Sequence, residues 1–165
     1  MPARLTAPRV RAGPRLGGTF AAMARAMSDD EWRQFVMHGT RTGKLATVRA
    51  DGSANVVPIW FVLDDDGAFV FNTGAESAKG KAMRRDPRVA LLVDDQQPPY
   101  SFVLARGEVT LTHDVDAMLP WATRIGGRYM GQERAEEFGR RNAVPEEMLV
   151  RLVPTTLIAL AGVAD

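Results

Sequence analysis

Two tight-turn signals in the first half of the chain do most to narrow the folds that it can adopt. They separate three apolar runs, Leu45–Val48, Ala54–Leu63 and Ala68–Asn72, the second of which is rich in β-branched and aromatic residues. Asp51–Gly52 lies between the first two runs, and Asp64–Gly67 lies between the last two. Turns this short join neighbouring antiparallel strands. The pattern therefore predicts an antiparallel β-meander.

Helices and further strands are predicted around this meander. The first helix begins at Ser28–Glu31, a capping box in which each end residue can bond the other's backbone N–H, and it ends at Gly39. The other predicted helices are Ala75–Arg85, Asp114 to about Tyr129 with interruptions at Pro120 and Gly126–Gly127, and Gln132–Asn142. The other predicted strands are Val89–Val93, Ser101–Leu104, Gly107–Thr112, Met148–Val153 and Thr156–Leu160. Six or seven strands with peripheral helices indicate a small barrel of the α+β class.

Residues 1–27 differ from the rest of the chain. Their five arginines, without an acidic residue, contribute +5 to a net charge of +1, so the remainder carries −4. Prolines and glycines interrupt any periodic pattern, which predicts a disordered basic tail before a folded domain at 28–165. The tail fits three hypotheses: a transit peptide, a phosphate- or partner-binding arm, or an extension upstream of a start at Met23 or Met27. We favour the third.

The chain has the length and composition of one folded domain. Its 165 residues are 45% hydrophobic, and the absence of cysteine excludes disulfides and thiolate-bound metals. No run approaches the roughly 20 apolar residues that a membrane-spanning helix needs. A mildly acidic body also argues against general nucleic-acid binding. We therefore expect a soluble, cytoplasmic protein with no metal and no nucleic-acid or membrane partner.

Standard catalytic motifs are missing from the sequence. It contains no nucleophile elbow, Walker A loop, dinucleotide-binding glycine motif or zinc-protease helix. His38 and His113 lie far apart and fit surface or helix-end positions better than a catalytic role. Asp64–Asp66 could hold a cation, but a hairpin turn explains this run more simply. Arg124 and Arg128, four residues apart, indicate a solvated helix face or, less directly, the lining of a dimer groove.

The segment from Asn72 to Lys79 has the pattern of an anion site. It leaves a strand, passes Gly74 and enters a helix whose first turn carries Ser77 and Lys79. The free N–H groups of a helix start, together with a hydroxyl and an ammonium group, suit a phosphate. Asn72 and Thr73 would then lie beside the ring system attached to that phosphate. The alternative is that Ser77 only caps the helix and Lys79 is only exposed.

Four cations follow this segment at roughly helical spacing: Lys81, Arg84, Arg85 and Arg88. They would lie near one side of the helix, although Arg88 is beyond Pro87. Asp86 is the one acidic residue within this stripe, so an extended polyanion is a natural partner. A solvated helix face is the alternative.

Three stretches carry a resemblance to a known family: Asp51–Gly52 with Val56–Trp60, then Phe71–Thr73 with Ser77–Lys79, then Arg84–Leu91. They resemble the pyridoxamine 5'-phosphate oxidase-like split-barrel superfamily, and most closely its branch of deazaflavin (coenzyme F420)-dependent reductases. The resemblance covers roughly residues 28–161. It implies a six-stranded antiparallel split barrel of the FMN-binding type, which forms a homodimer through its sheet with cofactor sites at the subunit interface.

The resemblance also implies which residues contact the cofactor. The ring system would lie against Val56, Val57, Pro58, Ile59, Trp60, Asn72 and Thr73. The phosphate would lie at Ser77, Ala78 and Lys79. In the deazaflavin branch, a tail of phosphate, lactate and glutamates would follow Lys81, Arg84 and Arg85.

The implied activity is hydride transfer between bound F420 and a small electron-poor substrate such as a conjugated alkene, quinone or nitro compound. FMN is the alternative cofactor, and a non-enzymatic carrier of flavin, deazaflavin or haem is the alternative function. FMN-using oxidases of the superfamily usually have Arg where this chain has Ala78, and residues 151–165 lack the His of a pyridoxal phosphate site. Oxidation of pyridoxamine phosphate is therefore not expected. Trp60, Tyr100 and Trp121 are candidates for the substrate side or for the core.

Overall fold

The computed structural model describes residues 24–164. In chain order, its elements are β1 (Arg25–Ala26), α1 (Asp29–Met37), β2 (Gly43–Val48), β3 (Ala54–Ile59), β4 (Val62–Leu63), β5 (Phe69–Gly74), α2 (Ala78–Arg85), β6 (Arg88–Asp94), β7 (Phe102–Thr112), α3 (Val115–Met130), α4 (Ala135–Asn142) and β8 (Glu147–Ala161). A 3-10 turn at Gln132–Arg134 leads into α4. None of the helices among these residues is both long enough and apolar enough to cross a membrane.

One curled antiparallel sheet contains all the strands, in the order β3-β2-β6-β7-β8-β5-β4, and β1 pairs with β8. The β3 strand is therefore at an edge of the sheet and is bonded to β2 alone. At the opposite edge, β4 covers β5 only at Phe69 and Val70, which leaves the stretch from Phe71 to Gly74 open on that side. The sheet is thus split, with β3 and the end of β5 as its free edges.

The core lies on the inner face of this sheet, where alternate residues of β2, β6 and β7 are buried. Leu45, Leu91 and Val103 of β2, β6 and β7 are fully enclosed there, and Trp32 and Val36 of α1 pack into the same cluster. The capping box predicted for α1 is present with both hydrogen bonds. On the other side of β5, α3 buries a second cluster that joins Met118, Ala122, Ile125, Val70 and Leu149.

The predicted α+β split barrel is confirmed, with six long strands and two strands of two residues each. In two places, a pair of strands that the sequence predicts as separate forms one continuous strand. One is β7, and the other is β8, which passes through Pro154 and has Thr155 as an extra residue opposite Arg106–Gly107 of β7. The predicted run Ala54–Leu63 is instead divided into β3 and β4.

The predicted interruptions of α3 are wrong, because this helix is continuous through Pro120 and both glycines. The glycines serve packing instead. A Cβ on Gly126 would lie 2.6 Å from the Cβ of Phe138, so α4 can approach α3 only where the side chain is missing. The predicted α2 begins later than expected, at Ala78, because Ser77 is its N-cap.

Residues 24–27 of the predicted tail belong to the described part of the chain. Arg25 and Ala26 pair with Ala161 and Leu160, and the Met27 side chain is buried in the core. The ordered structure therefore begins before Ser28. Residues 1–23, on which the rest of the tail prediction falls, lie outside the described residues.

Candidate functional site

A cavity of about 250 Å³ lies where the two free edges of the sheet meet the start of α2. It brings together five of the residues predicted for the cofactor site: Pro58, Ile59, Trp60, Asn72 and Lys79. Ile125 of α3, Asn142 of α4 and Glu147 of β8 complete the lining. Residues far apart in the sequence thus converge on one small space.

The start of α2 is fixed by Ser77. Its hydroxyl accepts the N–H of Gly80 at 3.1 Å and donates to the carbonyl of Gly74 at 2.7 Å. A Cβ on Gly80 would lie 2.4 Å from that same carbonyl oxygen, so the helix can sit this close to the loop only with glycine there. Ser77 is therefore a helix cap, and the single proton of its hydroxyl is already donated within the loop.

The cap leaves the N–H groups of Ala78 and Lys79 at the first two helical positions, where the helix itself offers no acceptor. The Lys79 side chain reaches the cavity. Among the described residues, the ion pairs made by cations of α2 come from Lys81 and Arg84 and not from Lys79. Two backbone donors and one ammonium group can therefore act on an anion at this helix start.

Asn72, which lines the same cavity, carries a hydrogen-bond donor and an acceptor that are not satisfied. Both its amide nitrogen and its amide oxygen are buried, and neither has a hydrogen-bond partner among the described residues. A buried polar group left without a partner costs about 1–3 kcal/mol. An amide of this kind suits a ring that offers an acceptor and a donor on one edge, as flavin-type heterocycles do. The unsatisfied Asn72 amide therefore indicates that the cavity fits such a ring, independently of the family resemblance.

Trp60 forms a flat wall of the cavity. Its ring is 38% exposed and stacks on Tyr129 of α3, with centroids 5.0 Å apart and planes within 2° of parallel. The Tyr129 hydroxyl accepts the N–H of Phe61 at 3.3 Å and donates to the carbonyl of Arg41 at 2.8 Å. Burial raises the pKa of this phenol, so it stays protonated in that role.

Arg128 holds the same region of backbone from the next position of α3. Its guanidinium donates to the carbonyls of Phe61, Val36 and Gly39 at 2.7 to 3.0 Å, and more weakly to that of Arg41 at 3.4 Å. Burial lowers the pKa of this group, although an arginine remains charged. The prediction of a solvated face is therefore wrong for Arg128.

Arg124 and the other aromatic candidates lie elsewhere. Arg124 is exposed, bonds the carbonyl of Leu63 and lies over the Trp121 ring. Trp121 packs beside the second core cluster, and Tyr100 lies exposed between β6 and β7. Of the three aromatic candidates for the substrate side, Trp60 is the one that lines the cavity.

Glu147 faces Lys79 in the cavity and was missed by the sequence analysis. It is half-buried at the first position of β8, where it pairs with Gly74 of β5. Burial raises the pKa of its carboxyl, and the nearby charge of Lys79 partly opposes that rise. The cavity thus holds one cation and one titratable acid.

The remaining predicted site residues lie around the cavity rather than in its lining. Val56 is 60% exposed and Val57 is half-buried on β3, whose outer backbone edge has no strand partner. Thr73 is buried, with its hydroxyl 3.4 Å from that of Ser77. Ala78 is exposed on the first turn of α2.

The cationic stripe is partly neutralised in the structure. Glu76, just before α2, pairs with Arg84 at 2.7 Å and with Lys81 at 3.3 Å. These hydrogen bonds, that of Arg84 foremost, lower the pKa of Glu76. Arg85 donates to the carbonyl of Val48, and Arg88 lies on β6 and pairs with Asp86. The prediction that Asp86 alone could pair with these cations is therefore wrong.

The acidic run at the second turn is explained by the fold. Asp64 accepts the N–H of Ala68 at 2.8 Å and forms an ion pair with Arg151 at 2.6 Å. Both contacts are those of a hairpin turn anchored to a neighbouring strand. His38 and His113 are exposed at the end of α1 and after β7.

A larger depression of about 700 Å³ lies elsewhere on the sheet, and no residue of α2 lines it. It is lined mainly by small and apolar residues of β2, β6, β7 and β8, together with Arg88, Arg106 and Glu108. It offers no helix start, and the buried polar atom there without a partner among the described residues is the Thr47 hydroxyl and not an amide. We therefore place the candidate site in the smaller cavity.

Comparison with known proteins relates this architecture to one family. The family model of pyridoxamine 5'-phosphate oxidase matches residues 28–158. A conserved hypothetical protein from Mycobacterium tuberculosis is 26% identical with a TM-score of 0.69, over 81% of this chain and 85% of that one.

Two further solved structures share the fold at lower identity. One is named an F420 reductase, is 23% identical with a TM-score of 0.62, and matches over 75% of this chain and 94% of that one. The other is the haem storage protein of Vibrio cholerae, which is 19% identical with a TM-score of 0.64 and matches over 83% of this chain and 98% of that one. Since the family model covers most of the chain and the split barrel accompanies it, this chain belongs to the pyridoxamine 5'-phosphate oxidase family.

Proposed function

We propose that this protein is a cytoplasmic oxidoreductase that binds the deazaflavin coenzyme F420 and transfers a hydride between it and a small electron-poor organic molecule. The proposal rests mainly on two features that occur in one cavity. One is the Asn72 amide, which has no hydrogen-bond partner among the described residues, and the other is Lys79 at a helix start. A flavin-type cofactor combines a heterocycle with a phosphate, and these are the two groups that the cavity would recognise. One of the structural relatives is named an F420 reductase.

Lys79, Asn72 and Trp60 of the cavity have distinct parts in this proposal. Lys79 and the N–H groups of Ala78 and Lys79 bind the phosphate. Asn72 and the open backbone edge of β3 bond the ring, and Trp60 fixes its plane by stacking. The bound cofactor supplies the hydride chemistry, while the protein orients it and excludes water. This division explains why the site needs no nucleophile and no paired acid and base.

F420 is preferred to FMN because of the stripe on α2. Lys81, Arg84 and Arg85 lie beyond the phosphate site, on the same short helix. A tail of glutamates could replace Glu76 as the partner of Lys81 and Arg84, whereas FMN has no tail. FMN binding, or storage of haem or flavin without catalysis, is the second candidate, because one structural relative is a haem storage protein.

The outer face of the sheet supports a homodimer. Partly buried apolar side chains lie next to one another there: Leu92, Leu104 and Ile158 are paired across β6, β7 and β8, and Phe102 is paired with Leu160. A contiguous apolar surface of this kind marks an interaction site. The cavity volume also falls below the roughly 300–1,000 Å³ of a complete ligand pocket. We infer that a second copy covers this face and completes the cofactor site.

Replacing Leu104 with aspartate should convert the dimer to a monomer, because it places a charge in the centre of the apolar face. Sedimentation at micromolar concentration measures the change. Leu119→Asp is the matched control, since Leu119 is an exposed leucine on α3, outside this face. A wild-type protein that sediments as a monomer would contradict the dimer and the shared site.

Oxidation of reduced F420 with a quinone, a nitroaromatic compound and an unsaturated ketone tests the activity. We expect at least one acceptor to react about 100-fold faster than without protein, a modest acceleration for positioning alone. Trp60→Ala should slow this reaction, whereas Trp121→Ala, which alters a tryptophan outside the cavity lining, should not. Tight binding of F420 without turnover of any acceptor would favour the carrier function.

A further inference from the structure

We propose that Glu147 determines the charge selectivity of the cavity: its carboxyl takes up a proton when an anionic group binds beside Lys79, so that the site with a protonated Glu147 binds anions more tightly than the site with an ionised one. The inference rests on the proposed function, which places the cofactor phosphate at Lys79. It goes beyond that function by assigning a role to a residue that no part of the cofactor motif includes.

The fold places Glu147 where its protonation can be coupled to anion binding at Lys79. Glu147 begins β8 and pairs with Gly74, the last residue of β5, just before the loop that leads into α2. Its Oε1 lies 3.5 Å from the point where a Cβ on Gly74 would stand, so the carboxyl is held against this loop. It lines the same cavity as Lys79 and Asn72. An anion that binds Lys79 therefore lies in the same small cavity as this carboxyl.

Few other charges act on Glu147. Lys79 of α2 is the charged group that influences its pKa, and burial is the larger effect. The neighbouring elements present Asn72 from β5, Ile125 from α3 and Asn142 from α4 to the cavity, and none of these titrates. Glu146 precedes it in the chain but is exposed. The proton occupancy of the site is thus set mainly by Glu147 itself.

The sign of the coupling follows from charge. At high pH the carboxylate and the Lys79 ammonium cancel, and a bound anion adds a repulsive neighbour to the carboxylate. The pKa of Glu147, already raised by burial, then rises further, so binding is accompanied by proton uptake. Affinity should therefore be highest below the pKa of the free protein and should fall as the pH rises toward that of the complex.

Binding titrations of wild-type protein, Glu147→Gln and Glu146→Gln with F420 and with FMN, from pH 5 to pH 8.5, test the inference. The ionisation of the ligand is the same for all three proteins, so the ratio of Kd values between wild type and variant isolates the contribution of each carboxyl. For Glu147→Gln we expect this ratio to be smallest at the acidic end of the range and to rise to about 10 at pH 8, an order of magnitude for one nearby charge. For Glu146→Gln the ratio should be smaller than for Glu147→Gln at pH 8 and should change little with pH, because the Glu146 carboxyl is exposed.

Calorimetric titration in two buffers of different ionisation enthalpy gives a second measurement. In the pH range where the Kd ratio changes, wild-type protein should take up a fraction of a proton on binding that Glu147→Gln does not. If the Kd ratio between wild type and Glu147→Gln stays constant with pH, and the two proteins take up equal numbers of protons, the role of Glu147 is overturned. The proposed function would remain intact. Failure of F420 and FMN to bind any of the three proteins at any pH would overturn the proposed function as well.

Discussion

Replacing Lys79 with alanine is expected to weaken cofactor binding by roughly 10- to 150-fold. A charge-assisted hydrogen bond to phosphate contributes about 1.5–3 kcal/mol, and each 1.4 kcal/mol changes Kd about tenfold. The N–H groups of Ala78 and Lys79 remain after the substitution, so binding should be reduced rather than lost. Titration with F420 and with FMN, followed by ligand fluorescence, measures the effect.

Lys81→Ala is the matched control for this measurement. Lys81 is an exposed lysine on the same helix, is paired with Glu76, and lies outside the cavity lining. It should change FMN affinity by less than about threefold, as exposed ion pairs usually do. Equal losses for both alanine variants would mean that α2 attracts the ligand only through its overall charge, and the phosphate site at Lys79 would then be wrong.

Arg128→Met should lower the free energy of unfolding by about 3 kcal/mol. The substitution leaves the carbonyls of Val36, Gly39 and Phe61 without their strongest side-chain donor, in a partly buried region that water reaches poorly. Because Phe61 follows Trp60, the wall of the cavity should also loosen. Urea denaturation, together with tryptophan fluorescence of the folded protein, measures both effects.

Arg124→Met provides the comparison, since it removes the same side chain one turn earlier on the same helix. Arg124 is exposed and bonds one carbonyl, that of Leu63. Its loss should cost at most about 1 kcal/mol. If the two variants have equal stability, Arg128 does not hold the Trp60–Phe61 backbone, and our account of the cavity wall fails.

Local patterns predicted the site where its residues are close in the sequence. The turn at Asp51–Gly52 and the strand-to-helix segment around Ser77 have short-range signals, and both are present in the structure. The continuity of α3 was not predictable in this way. Pro120 and Gly126 disfavour a helix locally, but packing against α4 outweighs that preference.

The residues that the sequence analysis missed are those positioned by long-range pairing. Glu147 reaches the cavity because β8 pairs with β5 at Gly74, 73 positions earlier in the chain. Tyr129 and Arg128 reach the Trp60–Phe61 backbone because α3 folds over β4 and β5. No motif marks such residues, and an arginine spaced four positions from another looks like a solvated face. Their roles can be recognised only once the topology is known.

The measurement that tests the central claim most directly is a side-by-side titration of the wild-type protein with F420 and FMN at low and high salt. We expect F420 to bind about tenfold more tightly at low salt, because its tail can pair with Lys81, Arg84 and Arg85 at a few tenths to 1 kcal/mol each. Arg84→Glu and high salt should both narrow that difference. Equal affinities, tighter binding of FMN, or no binding of either ligand would contradict the account.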